Sequence, residues 1–103
     1  MFPKGMGNMM KKAQQMQKEM ARIQKEIEEL EVDGQSGGGM VKVVVNGKKR
    51  LVSIDVDPEV VKEDKDILED LIISAINQAL DSIDKISKDK MGPLTGGLNI
   101  PGL

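Results

Sequence analysis

Residues 37–56 read GGGMVKVVVNGKKRLVSIDV. A glycine turn leads into a valine-rich run, and Asn46-Gly47 is the strongest short signal for a β-hairpin. Alternate residues of a strand share one face of the sheet. The face that we expect to be buried carries Val41, Val43, Val45, Val52, Ile54 and Val56. The stretch therefore predicts an antiparallel strand pair that turns at Asn46-Gly47.

The residues before this hairpin extend the predicted sheet. A short strand over about residues 31–35 would pair with the valine-rich strand through the glycine turn at 36–39. Together with Pro58, which ends the last strand, this predicts a three-stranded antiparallel meander. Long helices are expected on both sides of it, so the fold class is α+β in the order α-β-β-β-α.

The first helix is predicted by a heptad pattern of apolar residues at alternating spacings of four and three. Such a seam is typical of a helix that pairs with another helix. Asn8 is a plausible N-cap and no Gly or Pro follows before Gly34, so we expect a helix from about residue 9 to 31. The seam consists of Met9, Ala13, Met16, Met20, Ile23, Ile27 and Leu30.

The second helix is expected to start near Asp66 and Glu69, which resemble a capping box, and to reach about Asp89 before Gly92-Pro93. Its apolar residues cover more circumference than one sheet-facing stripe, which indicates that it buries two surfaces, one of them against another subunit.

Residues 92–103 hold four glycines and two prolines, so we expect one domain over 1–91 and a flexible tail over 92–103.

Composition excludes several classes of function. The 103 residues contain no cysteine, no histidine and a single aromatic residue, Phe2. Thiol and imidazole chemistry, zinc fingers and base-stacking platforms for single-stranded nucleic acid therefore lack their residues. No long apolar run or secretion signal is present, which predicts a cytoplasmic protein without a membrane span. We expect no enzyme, no cofactor, no metal and no small-molecule substrate.

Charge is distributed in blocks. Residues 1–25 carry six basic residues and one acidic residue, a net charge of +5, whereas residues 26–39 carry five acidic residues and no basic one. Cations at the start of a helix and anions near its end oppose the helix dipole. Helix stability therefore does not explain the arrangement. A basic amino-terminal end suits phosphate contact, with a solvated helix face as the alternative.

These features together resemble a known family. The residues that carry the resemblance are Met9-Met10-Lys11-Lys12-Ala13-Gln14-Gln15-Met16-Gln17, Gly34-Gln35-Ser36-Gly37-Gly38-Gly39-Met40-Val41-Lys42-Val43, Asn46-Gly47, Asp57-Pro58, Leu68-Glu69-Asp70-Leu71-Ile72 and Ala75-Ile76-Asn77-Gln78-Ala79. In this order, over nearly the whole chain, they are similar to the YbaB/EbfC family of bacterial nucleoid-associated proteins.

The resemblance implies a homodimer with projecting helices that binds double-stranded DNA with little sequence preference. It would act at the nucleoid, in nucleoid organisation and gene expression. The expected DNA-binding residues are Lys4, Lys11, Lys12, Lys18, Arg22 and Lys25, with Lys85, Lys88 and Lys90 as further candidates. The expected dimer interface consists of Met9, Met16, Met20, Ile23, Ile27, Leu30, Ile72, Ile76, Leu80 and Ile83.

Two other classes of function remain open from the sequence. A protein-binding adaptor would use the heptad seam and the wide apolar helix without touching DNA. Surface binding to anionic membranes through the Met- and Lys-rich helix is less favoured, because that helix lacks a leucine-rich or aromatic face.

Overall fold

The computed structural model describes the backbone of residues 4–95 and the side chains of residues 7–93. The expected α+β order is confirmed: a long helix, a three-stranded antiparallel meander in the order β1-β2-β3, and a second long helix. The elements are α1 (Lys4–Glu28), β1 (Glu31–Ser36), a 3-10 turn (Gly37–Gly39), β2 (Val41–Asn46), β3 (Leu51–Val56), α2 (Pro58–Val61) and α3 (Lys65–Thr95).

The sheet pairs β2 with both neighbours. Ser36 lies opposite Val41 at the tight glycine turn, where all three glycines have positive φ. Residues that carry a Cβ rarely adopt that conformation, so the glycines make the turn possible. On the other side, Val41 lies opposite Val56. The predicted first strand and the turn that follows it are both confirmed.

The core lies between β2 and α3. Val41, Val43 and Val45 are buried, as expected, against Ala75 and Ala79 of the helix. A helix is about 10–12 Å wide and strands lie about 4.8 Å apart, so one helix covers roughly two strands of a sheet. Helix α3 accordingly packs on β1 and β2. Within the described residues, the third strand is left without a helix above it.

The expectation of a buried face on β3 is therefore wrong for the single chain. Val52 and Ile54 are exposed, and Val56 is half-buried. A register shift between Val44 and Val45 also places Leu51, rather than Val52, opposite Val45. Leu51 is exposed as well, so β3 presents a row of apolar side chains to its surroundings.

Contact between β1 and α3 requires Gly34. A Cβ on this residue would run into the backbone carbonyl of Ala75 and lie 2.8 Å from the Cβ of Ala79. Next to it, the backbone N–H of Gln35 donates to Oε1 of Gln78 at 2.7 Å, and Ser36 Oγ donates to the carbonyl of Leu71 at 2.5 Å. The helix is thus held against the edge strand by backbone proximity and by polar contacts.

The β2–β3 hairpin differs from the predicted two-residue turn. Asn46 still pairs with Arg50, its N–H donating to the Arg50 carbonyl at 2.9 Å, and Lys49 takes the left-handed conformation with φ 64°. Gly47 serves a different purpose from the one expected. Its N–H donates to the carbonyl of Leu30 at 2.9 Å, and a Cβ there would clash with the carbonyl of Ile27. This glycine lets the hairpin pack on the end of α1.

The ends of both long helices differ from prediction. Helix α1 begins at Lys4, so it runs through Gly7 and through the expected cap Asn8, and it ends at Glu28 rather than residue 31. Helix α3 continues past Asp89 to Thr95 and contains Pro93 in its final turn. A proline this close to the end removes only one hydrogen bond of the helix. The predicted tail over 92–103 thus starts within a helix, and residues 96–103 lie outside the described residues.

A short helix, α2, was missed between the sheet and α3. Pro58 ends β3 as expected but also occupies the first turn of this helix, where its missing N–H costs nothing. The Asp57 side chain accepts a hydrogen bond from the N–H of Glu59 at 2.9 Å. Val60 is fully buried, so α2 closes one end of the core.

The described chain is elongated, with extents of 75 × 25 × 16 Å and a radius of gyration of 20.3 Å. A compact domain of this length has a radius of gyration of about 13 Å. Elongation comes from α1, in which every residue from 7 to 22 is exposed. We call residues 7–22 the arm and residues 27–95 the head.

Candidate nucleic-acid interface

Lysines form a row along the arm. In the heptad numbering that puts Ala13 and Met20 at position a, and Met9 and Met16 at position d, position f is taken by lysine at 11, 18 and 25. Seven residues are close to two helical turns, so these lysines lie on one side of α1, about 150° around the helix from the apolar seam. The two faces of the arm are chemically opposite.

The charges of this row are available to outside anions. Lys11, Lys18 and Lys25 are exposed, as is Lys12 beside them. In the part of the chain whose side chains are described, none of these four lysines makes an ion pair. Arranged along one helix, they form a linear basic surface of the kind that contacts a phosphate backbone.

Arg22 differs from the lysines because it is already paired. Its guanidinium donates to Glu19 at 2.6 Å and to Glu26 at 2.8 Å. The hydrogen bond to Glu19, then the negative charges of Glu19 and Glu26, raise the pKa of Arg22 further above its ordinary value. Arg22 stays charged, but two carboxylates surround that charge. It is a weaker candidate for phosphate contact than the lysine row.

The remaining basic candidates are spread over the molecule. Lys4 starts α1, but its side chain lies outside the described side chains. Lys85 and Lys88 are exposed on α3. Lys90 lies 3.7 Å from a carboxylate oxygen of Glu26, which ties the carboxyl-terminal part of α3 to α1.

The residues expected at a dimer interface fall into three groups. Ile27 and Ile83 are buried inside the single chain. Leu30, Ile72, Ile76 and Leu80 are partly buried and pack against the core, and Ile23 is half-buried. Met9, Met16 and Met20 are exposed on the arm. The heptad seam thus changes role along its length, from a contact within the chain at its end to an open face at its start.

A second apolar surface lies on the head and was not expected from the sequence. It consists of Leu51, Val52 and Ile54 of β3. Gln78 contacts the β1 side and Asp84 pairs with Lys49 of the hairpin at 3.1 Å, so the opposite flanks of α3 face opposite edges of the sheet. The flank on the β3 side carries Ile72, Ile73, Ile76 and Leu80. The apolar alternation of β3 was visible in the sequence, but its exposure depends on the width of α3.

The polar face of the sheet offers no assembled catalytic group. An open depression of about 440 Å³ is lined by residues that include Asp33, Lys42, Ser53 and Asp55. The chain has no histidine to activate the Ser53 hydroxyl. Within the described residues, no cluster of acidic side chains could hold a metal ion, and no helix is long and apolar enough to cross a bilayer.

Known proteins resemble this chain over nearly its full length. The model of the YbaB/EbfC DNA-binding family matches residues 2–98. Nucleoid-associated protein TTE0040 of Caldanaerobacter subterraneus subsp. tengcongensis is 52% identical over 105 residues, covering 99% of this chain and 95% of the relative. Nucleoid-associated protein Teth39_2199 of Thermoanaerobacter pseudethanolicus is 50% identical with the same coverage.

A solved structure has a similar fold. The crystal structure of the uncharacterized protein HP0035 from Helicobacter pylori superposes with a TM-score of 0.63 at 27% sequence identity. The match covers 75% of this chain and 90% of that one.

Proposed function

Since the chain belongs to the YbaB/EbfC DNA-binding family, we propose that it binds double-stranded DNA as a homodimer through its basic arms. The observation that carries the proposal is the row of lysines on a helix that projects from the head, which make no ion pair within the described residues. Its relatives are named nucleoid-associated proteins, which supports a place at the nucleoid in the cytoplasm and a role in DNA organisation and gene expression.

The lysine row favours contact with phosphates over contact with bases. Lysine side chains that neutralise phosphates position a protein on the duplex but carry no sequence information. The assigned contacts are the row lysines Lys11, Lys18 and Lys25, with Lys4, Lys12 and Arg22 as further basic residues of α1. Low sequence preference follows from this chemistry.

The charge of the head orients the protein. Residues 1–25 carry +5 and the whole chain carries −2, so residues 26–103 carry −7, of which −6 belongs to the head and −1 to Glu26. A negatively charged head is repelled by DNA, whereas the arm is attracted to it. The duplex is therefore approached by the arm first.

The homodimer is supported by the apolar surface on the head. Leu51, Val52 and Ile54 lie on a strand whose inner face is covered by no helix of the described part of the chain, beside the α3 flank that includes Ile76 and Leu80. Exposed apolar patches of this kind mark protein interfaces. A second copy placed there would bury β3 and complete the burial of Ile72, Ile76 and Leu80, three of the residues expected at the interface from sequence.

The DNA proposal is tested with a matched pair of double variants. Lys11→Gln/Lys18→Gln removes two charges from the arm, and Lys62→Gln/Lys65→Gln removes two exposed charges from the head. Each lost phosphate contact lowers affinity about eightfold at 0.1 M salt and flattens the salt dependence by about one unit. We expect both effects for the arm variant only, measured by titration of a labelled duplex. Equal weakening by both variants would contradict a role for the arm.

A protein that binds no duplex even at low salt would favour the adaptor function instead. In that case the heptad seam would serve a protein partner without DNA contact. Capture of that partner would persist in the Lys11→Gln/Lys18→Gln variant, because those lysines lie opposite the seam.

The dimer is tested by sedimentation of the native chain and of two variants. We expect the native protein to sediment at no less than twice the chain mass of 11.3 kDa. Ile54→Lys places a charge on the proposed interface and should halve the observed mass, whereas Ile67→Lys alters a similarly exposed residue on the other flank of α3 and should leave it unchanged. A native protein that remains a monomer at micromolar concentration would contradict the homodimer.

A further inference from the structure

The apolar seam continues along the arm beyond the head. Met9, Ala13, Met16 and Met20 lie on the same side of α1 as Ile27, which packs inside the head. On the arm these four residues are exposed, with Met9 71% exposed. Within the described residues, this leaves an apolar stripe about 16 Å long without a covering element. A heptad stripe of this kind fits another helix.

The charges that flank the stripe identify a second arm as the helix that fits. Position g is Lys12 in one heptad and Glu19 in the next, while position e is Met10 and then Gln17. Reversing one of two paired helices brings g residues opposite g residues, so Lys12 would meet the partner's Glu19 and Glu19 would meet the partner's Lys12. Arg22 donates to Oε2 of Glu19, which leaves Oε1 for this contact. Parallel pairing would place Lys12 opposite the partner's Gln17 and form no ion pair. Charge complementarity therefore favours an antiparallel pair.

We propose that the arm pairs antiparallel with the arm of a second copy from another dimer, linking two dimers and the two DNA duplexes that they hold. Met9 packs against the partner's Met20, and Ala13 packs against the partner's Met16, so each layer combines residues at positions a and d. The lysines at position f remain outside this contact, and the rows of the two helices face in opposite directions. Two duplexes can then be bound at once.

The DNA-linking part of this inference rests on the proposed function, but the arm pairing itself does not. The homodimer uses β3 and α3 of the head, whereas arm pairing uses the start of α1. The two contacts therefore involve separate residues and can be altered separately.

Disulfide crosslinking without DNA tests the pairing and its direction. The chain has no cysteine, so single-cysteine variants give unambiguous crosslinks. Disulfides need Cα atoms within about 7 Å, and antiparallel pairing puts residue 9 close to residue 20 of the partner but about 16 Å from residue 9 of the partner. In a mixture of Met9→Cys and Met20→Cys, we expect the mixed disulfide to exceed both symmetric ones at least fivefold.

A control for the crosslinking is Gln15→Cys, which lies near the lysine row on the far side of the helix. Its crosslinking sets the rate of random collision. Predominance of the symmetric Met9→Cys product would overturn the antiparallel arrangement. Crosslinking of the seam variants at the rate of the control, as expected if a segment of the same chain covers the stripe, would overturn arm pairing altogether.

The linking of duplexes is measured by capture of a fluorescent duplex on beads that carry a second duplex. Each copy's Met16 packs against the other copy's Ala13, so the change Met16→Gln alters two layers of the pair. It should lower capture about tenfold while leaving the affinity for a single duplex unchanged. Met10→Gln is the matched control, because Met10 lies outside positions a and d, and should capture as the native protein does. Glutamine and methionine have similar helix propensity, so neither change unfolds the arm.

The outcomes separate this inference from the proposed function. Native protein that binds a single duplex but captures no second one would overturn the linking while leaving the DNA proposal intact. Unchanged capture by Met16→Gln would also overturn it. Failure to bind even one duplex would overturn the DNA proposal, and the crosslinks would still decide whether arms pair.

Discussion

The head and the arm share one helix but obey different constraints. At Ile27 the helix is buried against the head, whereas from 7 to 22 every residue is exposed. In the head, packing against neighbouring residues of the same chain limits the size and polarity of each side chain. Within the described residues, the side chains of the arm have no such neighbours, so packing inside the chain does not explain their pattern of lysines and methionines. Under the proposed function, stability and recognition are placed in separate parts of one continuous helix.

Charge shows the same division. The arm places cations near the start of α1, where the helix dipole disfavours them, and includes Gly7, a poor helix former. Near its end the helix carries Glu26 and Glu28. A helix under selection for its own stability would have the reverse order. The arm therefore gives up helix stability in favour of a basic surface.

The largest expected difference between the two regions is the loss of unfolding free energy when a side chain is truncated to alanine. Ile83 is 1% exposed, so Ile83→Ala should lower the free energy of unfolding by about 2–5 kcal/mol. Met16→Ala removes a side chain of similar size from the arm but should change the free energy of unfolding by less than about 0.5 kcal/mol, because Met16 is exposed. Urea unfolding followed by circular dichroism measures both. Similar losses from the two variants would show that the arm packs within the chain.

A smaller difference is expected between two glycines. A Cβ at Gly34 would meet Ala75 and Ala79, so Gly34→Ala should cost about 1–3 kcal/mol through displacement of α3. Gly7 has nothing within 4 Å of the same position, so Gly7→Ala should raise the helix content of the arm. Thermal unfolding compares the two. A melting temperature unaffected by Gly34→Ala would mean that α3 does not approach β1 as closely as described.

The smallest expected effect tests whether the arm unfolds independently. Ala13→Gly should weaken the local helix by about 1 kcal/mol and speed amide hydrogen exchange in the arm. Amides of β2 and the midpoint of global unfolding should not change. A shift of that midpoint would show that the arm contributes to the cooperative unit of the head.

Much of the fold followed from local patterns. The alternation in Val41, Val43 and Val45 predicted a buried face, and the glycine triplet predicted the turn before it, because both depend only on strand geometry and backbone freedom. The exposure of Ile54 could not be predicted in this way, since it depends on how many strands one helix covers. The local signal of Asn46-Gly47 predicts a two-residue turn. It could not reveal that Gly47 packs on Ile27, because that contact joins segments far apart in sequence.

The candidate site was predictable to a similar degree. Clustering of lysines near the amino terminus was visible in the sequence, and so was the heptad seam. The pairing of Arg22 with both Glu19 and Glu26 could be suspected from spacing, but its effect on the availability of Arg22 required the geometry. The division of the seam between the head and the arm required knowledge of where α3 lies.

The measurement that tests the central claim most directly is the salt dependence of duplex binding by the native protein. If the arms of one dimer contact six phosphates, the logarithm of the affinity should fall with the logarithm of salt concentration at a slope of about −5. Unlabelled duplex of any sequence should compete equally. A slope near zero, or binding that persists against a large excess of unrelated competitor, would contradict recognition of the DNA backbone by the arm.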